Sequence, residues 1–356
     1  MSTNNEETQG AIDKSILDFS ILRAWMDEQG LEAGPIENPE LLAGGTQNIL
    51  IRFQSGRKTY VLRRPPKHLR SASNEVLRRE SRVLSALRDT NVPHPRFIAG
   101  CKDESVMGVV FYLMENVDGF NPAGGLLPYH LGSSDVRREM GFEAVDAISA
   151  LGNVDHVKVG LSDFGKPEGF LERQVNRWMK ELEGYSDLDG YLGPDIGGLD
   201  EVAGWLSENV PKNWKPGIMH GDFHLANVLY ERESSKLAAI VDWEMSTIGD
   251  PLVDLGWLIA TFPGKDALAV GPSMALANID GFPTTDELTE RYAQNSERSL
   301  TSIDWYTVLA CFKLGIILEG THARACAGKA EKSVGDLLHD ITVALFKKAL
   351  KVSGMG

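Results

Sequence analysis

Met219 to Pro251 reads MHGDFHLANVLYERESSKLAAIVDWEMSTIGDP, and the rest of the chain is organised around this stretch. Its first motif is His220-Gly221-Asp222, with Asn227 five residues after the aspartate. Its second is Asp242-Trp243, placed directly after the apolar run Leu237 to Val241. The two motifs flank a hairpin-like pair of apolar runs. One Asp, one Asn and a further Asp at these spacings can converge on a hydroxyl and a divalent cation. That is the minimum a phosphoryl-transfer site needs from protein side chains.

Composition bounds what surrounds this stretch. At 356 residues the chain is long enough for two domains, or two lobes sharing a cleft. The net charge of -14 speaks against a nucleic-acid partner, although a nucleotide needs only a local phosphate site. Cys101, Cys311 and Cys326 are far apart and form no CxxC pair, so neither a disulfide framework nor a zinc site is expected. The start, MSTNNEETQG, is polar and acidic and has no signal-peptide pattern. No uncharged apolar run approaches the roughly 20 residues that span a bilayer. The expectation is a soluble cytoplasmic protein without a membrane partner, as a monomer or homodimer.

Residues 1–14 read as a disordered tail, and Ile16 to Gln29 has helical apolar spacing stopped by Gly30. Ile49, Ile51 and Phe53 alternate with polar or outward positions, Ser55-Gly56 makes a turn, and Thr59 to Leu62 continues as a second strand. The loop Gly44-Gly45-Thr46-Gln47-Asn48 precedes this hairpin, and adjacent glycines let backbone N–H groups approach an anion. Ser73 to Leu87 reads as a helix capped at Ser73 or Asn74. Glu80 falls on its apolar stripe, where a carboxylate is costly unless paired. Either Arg63 at the end of the preceding strand supplies the cation, or Glu80 lies at the stripe's edge and reaches water. Two more strands follow, Phe97 to Ala99 and Val109 to Met114. Beyond Gly119 the strand signals nearly vanish until Ile218. Helices are expected at Asp135 to Leu151, Gly169 to Leu182, Leu199 to Asn209, Val253 to Phe262, Thr284 to Ser296, Ile303 to Ala325 and Asp336 to Val352. The expected division is a tail at 1–14, a β-rich unit at 15–117 and a mainly helical unit at 118–356.

The series Val61-Leu62-Arg63, Glu80, Met114-Glu115-Asn116-Val117, HGDFHLAN and IVDW resembles the aminoglycoside phosphotransferase family over roughly residues 35 to 350. GGTQN, YVLRRPP, VPHPR after the Arg79-Glu80 helix, and GFLERQVNRW resemble the subgroup that stands alone in bacteria or is fused to acyl-CoA dehydrogenases. The resemblance implies an α+β, protein-kinase-like two-lobed fold, with an antiparallel sheet in a small N-terminal lobe and a mainly helical C-terminal lobe. It implies ATP and Mg²⁺ as cofactors and a small-molecule hydroxyl as acceptor. By position, Asp222 would be the catalytic aspartate, and Asn227 and Asp242 the Mg²⁺ ligands. Gly44, Gly45, Thr46 and Asn48 would cover the phosphates, Arg63 would be the phosphate-side cation with Glu80 beside it, and Met114, Glu115 and Val117 would line the adenine. His220, His224, Asp250 and Asp254 read as scaffolding. Kinase-like enzymes usually carry Lys where this chain has Arg63, and whether Arg63 or Arg64 meets phosphate stays open.

Substrate choice is less determined. The subgroup resemblance points to hydroxyacyl-CoA-like metabolites, and the wider family to aminoglycoside-like compounds. Lys166, Arg173, Arg177 and Lys180 could meet an acidic substrate or form a solvated helix face. Two other functions are compatible with the motifs: a nucleotide-binding pseudoenzyme with a regulatory role, and a metal-dependent phosphohydrolase built on His220, His224 and Asp222.

Overall fold

The computed structural model describes residue 12 and residues 16–32, 34–42, 48–69, 72–264 and 275–356. The chain divides into two compact units, residues 1–89 with 94–117, and residues 90–93 with 118–356. The first unit begins with α1 (Phe19–Glu28), whose first amides are capped by the Asp18 carboxylate. It continues through β1 (Ile36–Leu41), β2 (Ile49–Ser55), β3 (Lys58–Arg64), α2 (Ser73–Ala86), β4 (Phe97–Cys101) and β5 (Phe111–Glu115). The sheet is antiparallel throughout, in the order β1-β2-β3-β5-β4.

Period-two alternation explains its core. Ile51 and Phe53 on β2 and Tyr60 and Leu62 on β3 are buried against α1, with Leu22, Trp25 and Met26 filling the gap. Trp25 meets Phe111 edge-on at 4.8 Å. β1 was not foreseen. Its sequence IENPEL has no apolar alternation and contains Pro39, which suits only an edge strand. A register shift between Glu37 and Glu40, with Asn38 at φ +50°, accommodates that proline. The expected helix cap at Ser73 or Asn74 also differs. α2 has no side-chain cap, and Asn74 Oδ1 instead accepts from Val110 N at 3.1 Å, fastening the helix to the chain entering β5. Nearly all of the expected tail, and Gly44, Gly45 and Thr46, lie outside the described residues.

The second unit contains α3 (Pro128–Leu131), α4 (Ser134–Asn153), α5 (Glu172–Gly184), α6 (Leu199–Glu208), β6 (Gly217–Met219), β7 (Val228–Tyr230), β8 (Leu237–Ile240), β9 (Thr247–Gly249), α7 (Leu252–Thr261), α8 (Thr285–Asn295), α9 (Ile303–Cys326) and α10 (Lys332–Val352). The expected single hairpin is two ribbons: β7 pairs with β8, and β6 and β9 bracket them as a second antiparallel pair. α10 starts at Lys332, ahead of the first apolar repeat. Polar residues carry no periodicity, and the Lys332–Asp336 pair four apart supports the extra turn.

α9 is the axis of this unit. Most of its length is buried because α5, α6, α7 and α10 all pack against it. Its approach to α7 depends on Gly256, where a Cβ would sit 2.5 Å from both the carbonyl carbon and oxygen of Tyr306. Among the described residues no helix is long and apolar enough to cross a membrane. Overpacking at the α7–α9 contact predicts that Gly256→Ala costs about 1–3 kcal/mol in urea denaturation. An unchanged midpoint would show that the two helices are not in such close contact.

Candidate active site

The chain leaves β6 and turns at Gly221, where φ is +86° and a Cβ would lie 2.5 Å from Met245 O. Only glycine fits both demands. The turn is held from below by Asp254 in the first turn of α7. Its Oδ2 accepts from His220 N at 2.6 Å, and its Oδ1 from Gly221 N at 2.8 Å. Asp254 is almost wholly buried, and burial raises its carboxyl; the neighbouring His220 ring, the two amide bonds and Lys313 work in the opposite direction. The helix N-terminus also favours a carboxylate there. Asp250 is used differently: it accepts from Leu252 N at 3.1 Å at the start of α7, and from the Tyr306 hydroxyl at 2.5 Å. Both are scaffolding, as the resemblance implies.

His220 is fully buried, with Nε2 3.0 Å from Val241 O and its ring edge-on to Trp243 at 5.1 Å. It therefore ties the two motifs together. His224 opens the short turn Leu225–Asn227, its Nδ1 accepting from Ala226 N at 3.2 Å. Its Nε2 lies 3.5 Å from Asp222 Oδ2.

Asp222 and Asn227 are brought together. Asn227 Nδ2 donates to Asp222 O at 2.9 Å and to Asp222 Oδ2 at 3.1 Å. Burial alone would raise the Asp222 carboxyl. The contact with His224, then the charges of His224, Lys313 and His220, outweigh burial and hold it well below the usual carboxylate range. The second motif is attached to the first through Val241 N, which donates to Asn227 O at 2.9 Å. Asp242 follows in the left-handed region, φ 65° and ψ 66°, a conformation that a non-glycine residue adopts only at a cost. The turn after it is closed by Trp243 Nε1 on Ile240 O at 3.0 Å and Ser246 Oγ on Trp243 O at 2.7 Å.

The sequence reading overlooked Lys313. Its Nζ donates to Gly221 O at 2.9 Å and lies 4.2 Å from the centre of the Trp257 ring and 5.6 Å from that of Trp178. Burial pulls its ammonium down to about 8, against the upward pull of Asp222 and Asp254. The signal was present: a single charge inside TVLACFKLGIIL, Thr307 to Leu318. A buried lysine needs a partner, and none was visible along the helix.

In the first unit, Glu80 is paired. Arg63 Nη2 reaches Glu80 Oε1 at 2.7 Å, and the Tyr112 hydroxyl donates to Glu80 Oε2 at 3.2 Å; the carboxylate has no exposure. Arg64, next on β3, points to the other sheet face, where burial lowers its guanidinium. Asn48 sits just ahead of β2. Met114 is buried, Glu115 is exposed, and Val117 is half-buried at the end of this unit. Glu115 N already donates to Arg96 O at 2.9 Å. Of the basic residues on and near α5, Arg173 is engaged with the carbonyls of Glu168 and Lys166, and Arg177 lies 5.2 Å over Trp178.

The model of the phosphotransferase enzyme family matches residues 39–288. Acyl-CoA dehydrogenase family member 11 of Gallus gallus is 28% identical over 317 residues, covering 87% of this chain and 40% of the relative. Acyl-CoA dehydrogenase family member 10 of Mus musculus is 27% identical over 86% of this chain and 28% of the relative. The chain thus spans less than half the length of these curated relatives. A solved structure from Ralstonia eutropha, provisionally described as an aminoglycoside phosphotransferase, has a TM-score of 0.77 and 28% identity, covering 95% of this chain and 98% of that one. The aminoglycoside phosphotransferase APH(4)-Ia, solved with AMP-PNP and hygromycin B, has a TM-score of 0.60 at 14% identity, over 97% of this chain and 100% of that one. These likenesses show the α+β, protein-kinase-like fold of two lobes.

The burial of Lys313 predicts that its ammonium titrates near 8 in ¹⁵N-lysine NMR, charged below that pH and neutral above it. Loss of the resonance shift in Lys313→Met assigns the signal. Titration at the ordinary lysine value of 10.5 would show that the side chain is not sequestered.

Proposed function

The chain belongs to the phosphotransferase enzyme family, and on that premise we propose that it moves the terminal phosphoryl group of ATP to a hydroxyl of a small molecule, with Mg²⁺. The observation that carries this reading is the joint held by Asn227. Its amide N–H groups are spent on Asp222, its backbone carbonyl accepts from Val241, and Asp242 follows directly. The Asn227 amide oxygen and the Asp242 carboxylate are both hard oxygen donors, a set that suits Mg²⁺ and not a thiophilic ion. When bound, the cation would neutralise charge on the nucleotide phosphates.

Asp222 then acts on the acceptor. Its low pKa keeps it ionised, so it accepts a hydrogen bond from the hydroxyl and aims the oxygen at phosphorus. Such a carboxylate is a weak base. In a loose transition state the proton leaves late, as the new P–O bond forms and the bond to the leaving diphosphate breaks, so orientation matters more than basicity. Lys313, through Gly221 O, and Asp254, through the two amides, resist movement of the loop that carries Asp222.

Arg63, held by Glu80, takes the place of the kinase lysine on β3, and this pairing favours Arg63 over Arg64 as the phosphate-side cation. Gly44, Gly45, Thr46 and Asn48 would cover the phosphates. Because Glu115 N is taken by Arg96, the adenine edge would be met by the Glu115 carbonyl and by Val117, beside Met114.

For the acceptor, the likeness to acyl-CoA dehydrogenase family members favours a hydroxyacyl-CoA-like metabolite over a polycationic aminoglycoside. The phosphohydrolase reading is disfavoured because His220 is fully buried with its Nε2 committed to Val241 O.

ADP release is measured with a panel of hydroxyacyl-CoA esters, other hydroxy acids and aminoglycosides. Asp222→Ala is expected to lower kcat by about 10²–10⁴-fold, and Asp242→Ala to abolish turnover and its Mg²⁺ dependence. Activity that survives Asp242→Ala would overturn the metal assignment. Tight ATP binding without turnover on any acceptor would favour the regulatory pseudoenzyme.

A further inference from the structure

A second group of ligating side chains lies on α9 and α10, away from the motifs described above. On α9 the spacing Glu319-x-x-His322-x-x-x-Cys326 puts three such residues on one helix face. α10 packs alongside and brings His339 against them. One ligand atom from each of Glu319, His322 and His339 falls within 4.8 Å of the others. The two imidazoles are stacked, with centroids 4.6 Å apart. We propose that Glu319, His322 and His339 form a binding site for a borderline divalent cation of the zinc class, onto which the Cys326 thiol closes as fourth ligand.

Four observations support this. First, the donor set is carboxylate, two imidazoles and thiol, which is the mixture zinc takes in tetrahedral sites. Second, one pair of donors already has the spacing of ligands about an ion. Bonds of about 2.0–2.3 Å in a tetrahedron set neighbouring ligand atoms about 3.3–3.6 Å apart. His322 Nε2 and Cys326 Sγ are 3.6 Å apart, and Cys326 is a free thiol. Third, His322 Nδ1 is buried without a hydrogen-bond partner, its nearest carboxylate oxygen being Asp336 Oδ1 at 3.7 Å. An imidazole that is not anchored through Nδ1 can turn to present either nitrogen to an ion. Fourth, Glu319 has an outer partner. It is wholly buried, and its Oε1 accepts from the Tyr191 hydroxyl at 2.8 Å, which orients Oε2 toward His339.

Glu319 Oε2 and His339 Nδ1 are now 2.8 Å apart, which is a hydrogen-bond distance and too short for two ligands of one ion. The cation would therefore replace the proton that bridges them, and the Cys326 thiol would lose its proton as well. Binding should release protons to the buffer and widen that contact by roughly half an ångström. The ion would clip α10 to α9 about 9 Å along the helix from Lys313, since Glu319 lies six positions beyond Lys313 at about 1.5 Å each. Cys326 has no CxxC companion, so the site was invisible to a cysteine count; it depends on the pairing of two helices.

The experiment uses the full chain without an affinity tag and zinc chloride as the probe, with no nucleotide present. Calorimetric titration and metal analysis after dialysis should find one zinc per chain, bound with proton release. Affinity should fall at least 100-fold in a His322→Gln/His339→Gln double variant, and at least tenfold in Tyr191→Phe. Asp242→Ala should retain the zinc, which separates this site from the one proposed for Mg²⁺. No zinc retained by the wild type, or equal retention by the double variant, would overturn the proposal. Unchanged affinity in Cys326→Ser would remove Cys326 from it. If the double variant does not fold, cobalt substitution of the wild type decides: tetrahedral d–d bands support the site, and their absence sinks it.

Discussion

The second unit depends on one buried carboxylate. Asp254 takes the backbone amides of His220 and Gly221 on its two oxygens, and so sets the position of the loop from which Asp222 projects. An unpaired buried carboxylate would be costly, and two unpaired buried amides would cost about 1–3 kcal/mol each. Each need satisfies the other. Because Asp254 is on α7 and α7 is pressed on α9 at Gly256, the loop inherits the rigidity of the helical core. A side chain that must aim a hydroxyl within a few tenths of an ångström needs such a foundation.

Lys313 adds a second hold from α9, on the carbonyl of the same Gly221. The peptide groups around this glycine are thus gripped from both sides, by an acid at the amide end and a base at the carbonyl end. The charges balance locally as well. Asp222 and Asp254 pull Lys313 toward its charged form, and Lys313 contributes to keeping Asp222 ionised. Neither group could be buried so cheaply alone. His220 completes the arrangement by binding Val241 O next to Asp242, so movement of either motif disturbs the other.

The first unit solves a comparable problem with Arg63 and Glu80. Two strands and one helix meet at this ion pair, because Tyr112 on β5 donates to the second carboxylate oxygen. Breaking one side of a buried pair leaves an uncompensated charge and costs about 3–5 kcal/mol. A guanidinium is well suited to such a position, since its planar fork holds its donors in a fixed geometry.

Nearly all helices and the β2–β3 hairpin were legible in the sequence, because hydrophobic periodicity reports which face of an element is buried. Asp222, Asn227 and Asp242 could be picked out as candidates because their spacing is short and their chemistry narrow. β1 was not, since an edge strand with a proline has one solvated face and no alternation to read. Glu80 was ambiguous on its helix until β3 and β5 supplied Arg63 and Tyr112. Lys313 and the cluster of Glu319, His322, Cys326 and His339 were beyond reach for one reason. Their partners lie tens to about a hundred residues away or on a neighbouring helix, and only the packing of α7, α9 and α10 makes them neighbours. Sequence alone determined the residue types and the local spacing that a phosphoryl-transfer site requires. Tertiary structure decided which buried charges meet, because electrostatic partners are chosen by distance in space and a linear chain specifies that distance only after it has folded.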